Sequence, residues 1–265
     1  HKTFKNSKRS GKWTFWHENS NVARAMSYKD GKKDGDYAFY FQDGSKKEEG
    51  SWKEDKRDGL WVQNLKNGNK KKEGTYLNGK KDGVWTTWND KELISSKYLY
   101  ENNKVIDKWA FKYAFYSNGN EKSLKSTRNN KLDGDQSKWY ENGQIKSNGN
   151  YTEGLEDGDF ELWYENGQLT SKKTYVKGTL DGEAFTWYEN GKQETSTNYE
   201  NGIKNGEFSD WFENGQMRQQ GKYVNDEFFL STRWNKDGGV LIKDGNGKWA
   251  GKNSEGLKLW AKEYK

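Results

Sequence analysis

Gly158-Asp159-Phe160-Glu161-Leu162-Trp163-Tyr164-Glu165-Asn166-Gly167-Gln168-Leu169, followed by Tyr175 and then Asp181-Gly182, is one copy of a repeat that runs through most of this chain of 265 residues. Glycines mark its phase. Gly11, Gly35, Gly59 and Gly83 are 24 residues apart, and so are Gly134, Gly158, Gly182 and Gly206. Seven residues before the marker stands an aromatic in most copies: Phe4, Tyr28, Trp52, Tyr76, Tyr151, Tyr175 or Tyr199. A fixed period of this length signals an array of small units, each burying its apolar face against its neighbours.

The unit is β. Asn142-Gly143, Asn166-Gly167, Asn190-Gly191 and Asn214-Gly215 stand between aromatic-rich segments, and Asn-Gly suits a type I′ turn because both central residues need positive φ. Thirty glycines would cost helices about 1 kcal/mol each relative to alanine, and no apolar period of 3.6 is present. Each unit therefore reads as two short antiparallel strands, with a second turn around Asp-Gly. The expected fold class is all-β, an elongated single-sheet array of antiparallel hairpins.

Taking Asn166-Gly167 as a two-residue loop sets the register. Tyr164 then faces Leu169, Leu162 faces Ser171 and Phe160 faces Lys173, whose counterparts Gly50, Gly74, Gly149 and Gly221 let a ring cover bare backbone. Alternation puts Phe160, Leu162, Tyr164, Leu169 and Tyr175 on a core face. Trp163 points to the other face, with its counterparts Trp16, Tyr40, Trp88, Trp139, Trp187 and Trp211. A bulge at the marker glycine would bring the two aromatic rows together.

The period fails in two places. Tyr100 calls for a glycine at position 107, which holds Asp107, and the 51 residues from Gly83 to Gly134 are two repeats plus three. After Tyr223 the pattern shortens. The expected organisation is one continuous repeat domain over 1–224, with a phase break near 100–133, and a degenerate terminal repeat or cap over 225–265.

Hydrophobic residues are 30% of the chain and aromatics 16%, a balance that suits a thin sheet covered by rings better than a deep globular core. Net charge is +6 from 46 basic and 40 acidic residues. Lys46-Lys47, Lys70-Lys71-Lys72 and Lys80-Lys81 sit beside Glu48, Glu49, Glu73 and Asp82, so the reading is a mixed-charge solvated face and nucleic acid is an unlikely partner. No segment is long and apolar enough to span a bilayer as a helix. Without cysteine there is neither a disulfide nor a thiolate metal site. The chain starts at His1 with no leader, which fits a mature exported protein or a trimmed one.

Catalytic groups are scarce. His1 and His17 are the only histidines, and His17 occupies the position of Phe41, Tyr164 or Phe212, so it reads as a substituted ring near a turn. No Ser-His or Cys-His pair can be assembled, and the acids recur with the repeat as structural residues do. The chain is read as a non-enzyme with no cofactor and no metal. Asp34-Gly35-Asp36, Asp133-Gly134-Asp135 and Asp157-Gly158-Asp159 offer hard oxygen atoms, but Leu60, Val84, Glu183 and Glu207 follow the marker elsewhere, and the spacing matches no calcium loop.

The candidate partner-binding residues are Trp16, Tyr40, Trp88, Trp139, Trp163, Trp187 and Trp211. Rings repeated along one face can stack on sugars or accept a partner's apolar ridge, and they can also simply shield the sheet. Asn64 interrupts the row in the third copy.

Glu-Asn-Gly-Gln at 165–168 and 213–216, with Trp-Tyr ahead in one copy and Tyr and Asp-Gly following, resembles the bacterial variant of the MORN repeat. The copies are similar to exported 24-residue-repeat proteins of anaerobic bacteria and to proteins labelled YwqK-type antitoxins. The resemblance covers about residues 4–224. It implies a stack of antiparallel hairpins with aromatics and glycines lining a face, and roles in protein or lipid contact and surface attachment; it transfers no catalytic residue. The expected function is a non-catalytic scaffold for protein–protein interaction at the bacterial envelope or surface, exported, with another protein as partner. Two alternatives stand beside it: a module that binds a glycan or an anionic lipid through the tryptophan row, and a cytoplasmic antitoxin-like inhibitor of a partner protein. An exposed terminal strand would also allow end-to-end self-association.

Overall fold

The computed structural model describes residues 3–243, all of them strands and connections, with no helix among the described residues. They fall into two compact units. The first takes in the chain up to Phe111 together with Thr127–Asn130, and the second Lys112–Ser126 and the chain from Lys131 on. In the first unit β1 (Thr3–Lys5), β2 (Lys8–Trp16), β3 (Val22–Lys29), β4 (Lys32–Tyr40), β5 (Lys46–Lys53), β6 (Lys56–Asn64), β7 (Lys70–Leu77), β8 (Lys80–Trp88), β9 (Ile94–Glu101) and the start of β10 (Lys104–Phe115) pair in chain order, each antiparallel to the last. The second unit holds the rest of β10 and most of β11 (Glu121–Arg128). It continues with β12 (Lys131–Trp139), β13 (Ile145–Thr152), β14 (Leu155–Trp163), β15 (Leu169–Val176), β16 (Thr179–Trp187), β17 (Gln193–Glu200), β18 (Ile203–Trp211), β19 (Met217–Val224), β20 (Glu227–Trp234) and β21 (Val240–Ile242). From β12 on these also pair in chain order, antiparallel throughout. The all-β hairpin array expected from the period is therefore what forms.

Two kinds of turn alternate, in the reverse of the expected assignment. The type I′ turns lie where one repeat passes to the next: Lys177 and Gly178 have φ of 47° and 83°, Asn201 and Gly202 51° and 84°. At Asn166-Gly167 only the glycine has positive φ (87°). There Gly167 N donates to Tyr164 O at 3.0 Å and Tyr164 N to Gln168 O at 2.8 Å, which is a type I turn closed by a left-handed glycine in a three-residue loop. The extra residue changes the register: Trp163, not Tyr164, pairs with Leu169, while Leu162↔Ser171 and Phe160↔Lys173 stand as expected.

The marker Asp-Gly pairs are not turns. Gly158 lies inside β14, where Tyr151 pairs with Glu156 and Gly149 with Phe160, so Asp157, Gly158 and Asp159 bulge out of the ladder toward β13. Its φ of 96° is left-handed, and that is why the period is written in glycine. The bulge adds an even number of residues, so alternation survives it and the two aromatic rows stay on opposite faces.

The core is a line of rings on the face of Phe160. In the first unit Tyr37, Trp52, Trp61, Tyr76 and Trp85 follow one another with centroids 4.9–6.2 Å apart, mostly edge to face. In the second unit Phe160 lies 5.3 Å from Tyr151 and 5.1 Å from Tyr175. Trp61 is only 2% exposed. Trp61, Trp85 and Phe160 each lie on the glycine of the strand before: a Cβ built on Gly50 would stand 2.4 Å from the Trp61 ring, one on Gly74 2.2 Å from Trp85, and one on Gly149 2.3 Å from Phe160. Where Lys173 replaces that glycine, the ring is replaced by the buried Ala184. Leu162, expected in the core, is 49% exposed, because its neighbours on this line are the small Ser147 and Ser171 and no ring reaches over it.

The three extra residues of the phase break are in β10, which is 12 residues long where β8 and β12 have 9. Asp107, at the missing glycine, is buried and accepts from Arg128, from Asn129 Nδ2 at 2.9 Å and from the Lys108 amide at 2.9 Å. Hydrogen bonding from Arg128 holds its carboxyl below the usual aspartate range. Past Tyr223 the hairpin pattern continues through β20 and β21, and residues 244–265 of the expected cap lie outside the described residues.

Replacing Gly74 by alanine is expected to destabilise the fold by about 1–3 kcal/mol, because the Trp85 ring must leave its rotamer or the strands must part. The added Trp85→Leu change should give back part of that loss, so the double variant melts above the sum of the two singles. Thermal unfolding of the three proteins measures this, and additive losses would show that ring and glycine do not act on each other.

Candidate binding surface

The tryptophan row is built from the loop outward. Trp163 ends β14, and the next residue, Tyr164, enters the three-residue loop. The Tyr164 hydroxyl donates at 3.0 Å to the carbonyl of Trp187, one repeat on. Tyr116 reaches the Trp139 carbonyl at 2.8 Å, Tyr140 that of Trp163 at 2.7 Å, and Tyr188 that of Trp211 at 2.8 Å. The loop asparagines make a second spine: Nδ2 of Asn142, Asn166 and Asn190 donates at 2.9–3.1 Å to the carbonyls of Glu165, Glu189 and Glu213. Each loop is thus pinned to the next through backbone oxygens that would otherwise need water.

His17 belongs to the same spine. Its Nε2 lies 3.2 Å from the Tyr40 carbonyl, where a tyrosine hydroxyl stands in later copies. The ring expected to be a substituted aromatic therefore does the tyrosine's work.

The candidate residues lie on the face opposite the ring line. Trp16 is 52% exposed; Tyr40, Trp88, Trp139, Trp163, Trp187 and Trp211 are half-buried. Each turns part of its ring to solvent, and Tyr40, Trp139, Trp163, Trp187 and Trp211 do so at a position fixed by the clamp on their own carbonyls. In the third copy Asn64 Nδ2 donates to the Lys46 carbonyl at 3.3 Å instead. On this face of the first unit a groove of 540 Å³ has Ala25, Ala38 and Val62 along its floor and Tyr40, Lys46 and Glu49 at its side.

The aspartates before the marker glycines face inward to their neighbours. Asp133, Asp157 and Asp181 accept from the amides of Glu153, Lys177 and Asn201 at 3.0–3.4 Å, one turn on. Asp159, after the marker, holds the Lys172 ammonium at 2.6 Å and the Thr174 hydroxyl at 2.8 Å, and hydrogen bonding from Lys172 lowers its pKa. No group of three metal-ligating side chains occurs among the described residues.

Charge is sorted by face, against the expectation of a mixed surface. Lys46–Glu49 and Lys70–Glu73 pair at 2.7 Å on the tryptophan side. The neighbouring Lys72 and Lys81 fall on the ring side, where both ammonium groups lie over Trp85, at 5.4 and 4.7 Å. Lys33 lies 4.3 Å over Trp52 and Arg57 4.0 Å over Trp61. A run of mixed charge in sequence becomes two chemically different faces, because alternation sends adjacent residues to opposite sides.

One buried ion pair stands on the ring face of the second unit. Asp210, 1% exposed, takes Arg218 Nε at 3.0 Å and Nη2 at 2.8 Å, and Gln219 Nε2 at 2.9 Å. Hydrogen bonding to Asp210 raises the Arg218 pKa. Its counterpart one copy earlier is Thr186, and Leu162 the copy before, so no repeat signal in the sequence marks it.

Five segments match the family model of the MORN repeat variant: residues 9–30, 132–153, 156–177, 180–201 and 204–225. Each begins two residues before a marker glycine. Repeats of this kind are typically non-catalytic modules and generally mediate contact with proteins or membrane lipids. The comparison with curated proteins gave no match.

Two outcomes test this surface. Asp210→Asn should cost about 3 kcal/mol by chemical denaturation, since it leaves Arg218 half-buried and uncompensated, whereas Asp210→Leu with Arg218→Leu should cost less. Burial, and after it the nearby Glu194, raises the hydroxyl pKa of Tyr164 and Tyr188 above 10.0. Folded pKa values above the unfolded one mean that the native state keeps these protons longer. Their stabilisation is full below pH 10.0 and fades as pH rises through the folded values. In Tyr164→Phe/Tyr188→Phe, the alkaline fall in melting temperature should be shallower than in the parent, from a start lowered by about 1 kcal/mol per lost hydrogen bond.

Proposed function

We propose that this chain is a non-catalytic scaffold that binds a partner protein through the tryptophan-bearing face. The observation that carries this is the clamp on each tryptophan's carbonyl. It holds Trp139, Trp163, Trp187 and Trp211 at one setting, copy after copy, while leaving part of every ring in solvent. Large rings held rigid lose little freedom on binding, and for that reason Trp and Tyr dominate protein interfaces. Successive rings two strands apart stand about 9.5 Å from each other, a spacing that an extended surface of a partner can follow. We place the protein in the bacterial envelope on its resemblance to exported repeat proteins.

The clamp also makes the test clean. It uses the backbone oxygen of each tryptophan, so the hydrogen bonds survive when the indole is removed. Trp163→Leu/Trp187→Leu/Trp211→Leu should lower the melting temperature only modestly and abolish capture of the partner in a pull-down from native cells read by mass spectrometry. If the triple variant captured the same partner while its fold melted far earlier, the row would be a structural shield.

A further inference from the structure

The ring face of the first unit carries cations in register with the repeat and almost no acid. Arg9, Lys33, Arg57 and Lys81 occupy the same position in four successive copies, each over the rings beneath it. Arg24 and Lys72 lie in the next line, over Phe15 and Trp85. Among the residues of β2 to β9 that pair on this face, Glu48 is the one carboxylate, and it is already engaged by Arg57 at 3.5 Å and Gln63 at 2.9 Å. The acids that stand beside these lysines in sequence, Asp36, Glu49, Glu73 and Asp82, are on the opposite side. The second unit keeps this pattern in one copy: the positions of Lys33 and Arg57 are held there by Leu132, Glu156 and Leu180, and by Lys204, which lies 4.9 Å over Tyr223.

We propose that this face of the first unit is a docking site for an acidic, extended segment of a partner protein. The proposal rests on the protein-binding reading above for the class of partner, and it uses the other face and the other unit. Charge complementarity selects the occupant. The cations recur every second strand, about 9.5 Å apart, and an extended peptide offers carboxylates on one side about every 6.7 Å, within the reach of lysine and arginine side chains. Burial, and then the adjacent Lys81, hold the Lys72 pKa below the usual lysine value, which a bound carboxylate would reverse.

Nucleic acid fits less well. The rings lie under the cations with their faces covered, and Trp61 and Trp85 are 2% and 5% exposed, so bases find no stacking platform. A bilayer fits less well too: Leu60, Leu77 and Val84 are exposed on the opposite face, and the exposed apolar side chains of this face, Phe4 and Val105, stand on the first and last strands of the unit rather than among the cations. At the loop end of the basic face a groove of 420 Å³ is lined by Phe39, Phe41 and Leu65 with Lys47, Lys66 and Lys71, and by Glu48, whose carboxylate Arg57 and Gln63 already hold. Lys47 lies over both phenylalanine rings, at 5.3 and 5.4 Å. One apolar side chain flanked by acids would seat there, which makes the preferred segment acidic with a single hydrophobic residue.

The test is fluorescence anisotropy with fluorescein-labelled poly-L-glutamate on the whole chain, at low and at physiological salt. Binding should weaken as salt rises. Lys33→Gln/Lys72→Gln/Lys81→Gln should lose roughly tenfold or more in affinity. Lys12→Gln/Lys32→Gln/Lys56→Gln, which removes the same charge from the tryptophan side, should lose less than about a third of that effect on a logarithmic scale. Lys33, Lys72 and Lys81 all lie over rings, so melting is followed for each variant, and Lys72→Gln alone, whose ammonium is the farthest of the three from its ring and is repelled by Lys81, must also weaken binding while the protein still melts cooperatively. Equal losses from the two triple variants would reduce the effect to net charge and overturn the site. Tighter binding of phosphatidylserine vesicles or of oligo-dT at the same lysines would overturn the occupant. The tryptophan triple variant should bind poly-L-glutamate like the parent, so failure of the tryptophan face and failure of this face show in different assays.

Discussion

Everything in this protein depends on a ring lying against a glycine on the strand before it. A sheet with one layer has no interior, so the only way to keep water from its ladder is to lay flat side chains across it. Trp61 over Gly50 and Trp85 over Gly74 do this at van der Waals contact, close enough that any side chain on the glycine would occupy the ring's own volume. The indole also turns its N–H to the carbonyl ten residues back, Trp61 to Ser51 and Trp85 to Thr75, so the ring is fixed by hydrogen bond as well as by contact. Where the ring is absent the polar half of the contact can survive alone: Gln136 Nε2 donates to Ser126 O at 2.7 Å from the indole's position.

A single ring on a single glycine would not hold a hairpin in water. The array works because each contact is shared. Tyr76 lies between Trp61 and Trp85, Tyr175 abuts Phe160, and each loop reaches one copy forward with a hydroxyl and an amide. Stability therefore grows as a sum of neighbour terms, and a copy can lose one element and keep its place. The copy with Ala184 has no ring over its neighbour, yet Lys173 has replaced the glycine there and the spines through Tyr164 and Tyr188 continue.

That tolerance explains what the sequence showed and what it hid. The period, the strands, the Phe160–Lys173 register and the two aromatic faces were legible because they follow from alternation and from glycine spacing. The turn types were not, since Asn-Gly serves both a type I′ turn and a type I turn ending in a left-handed glycine; the two differ by one residue in the loop, here Glu165. Asp-Gly at the marker left a turn and a bulge both open, because a glycine needed for positive φ looks the same inside a strand as in a turn. The buried Asp210–Arg218 pair and the Asp107–Arg128 cluster broke the repeat in single copies, where periodicity carries no information.

The charges illustrate the same limit from the other side. Read along the chain, Lys70-Lys71-Lys72-Glu73 and Lys80-Lys81-Asp82 are runs of mixed sign. Folded with period two, Lys70 meets Glu73 on one face while Lys72 and Lys81 meet Trp85 on the other. Mixed charge in sequence is thus compatible with strong polarity in space whenever the run lies in a strand, and the ring line reinforces the separation, since its π-faces attract cations and offer nothing to carboxylates. A charge average taken over the chain measures the sum of the two faces, and it is the difference between them that a partner would meet.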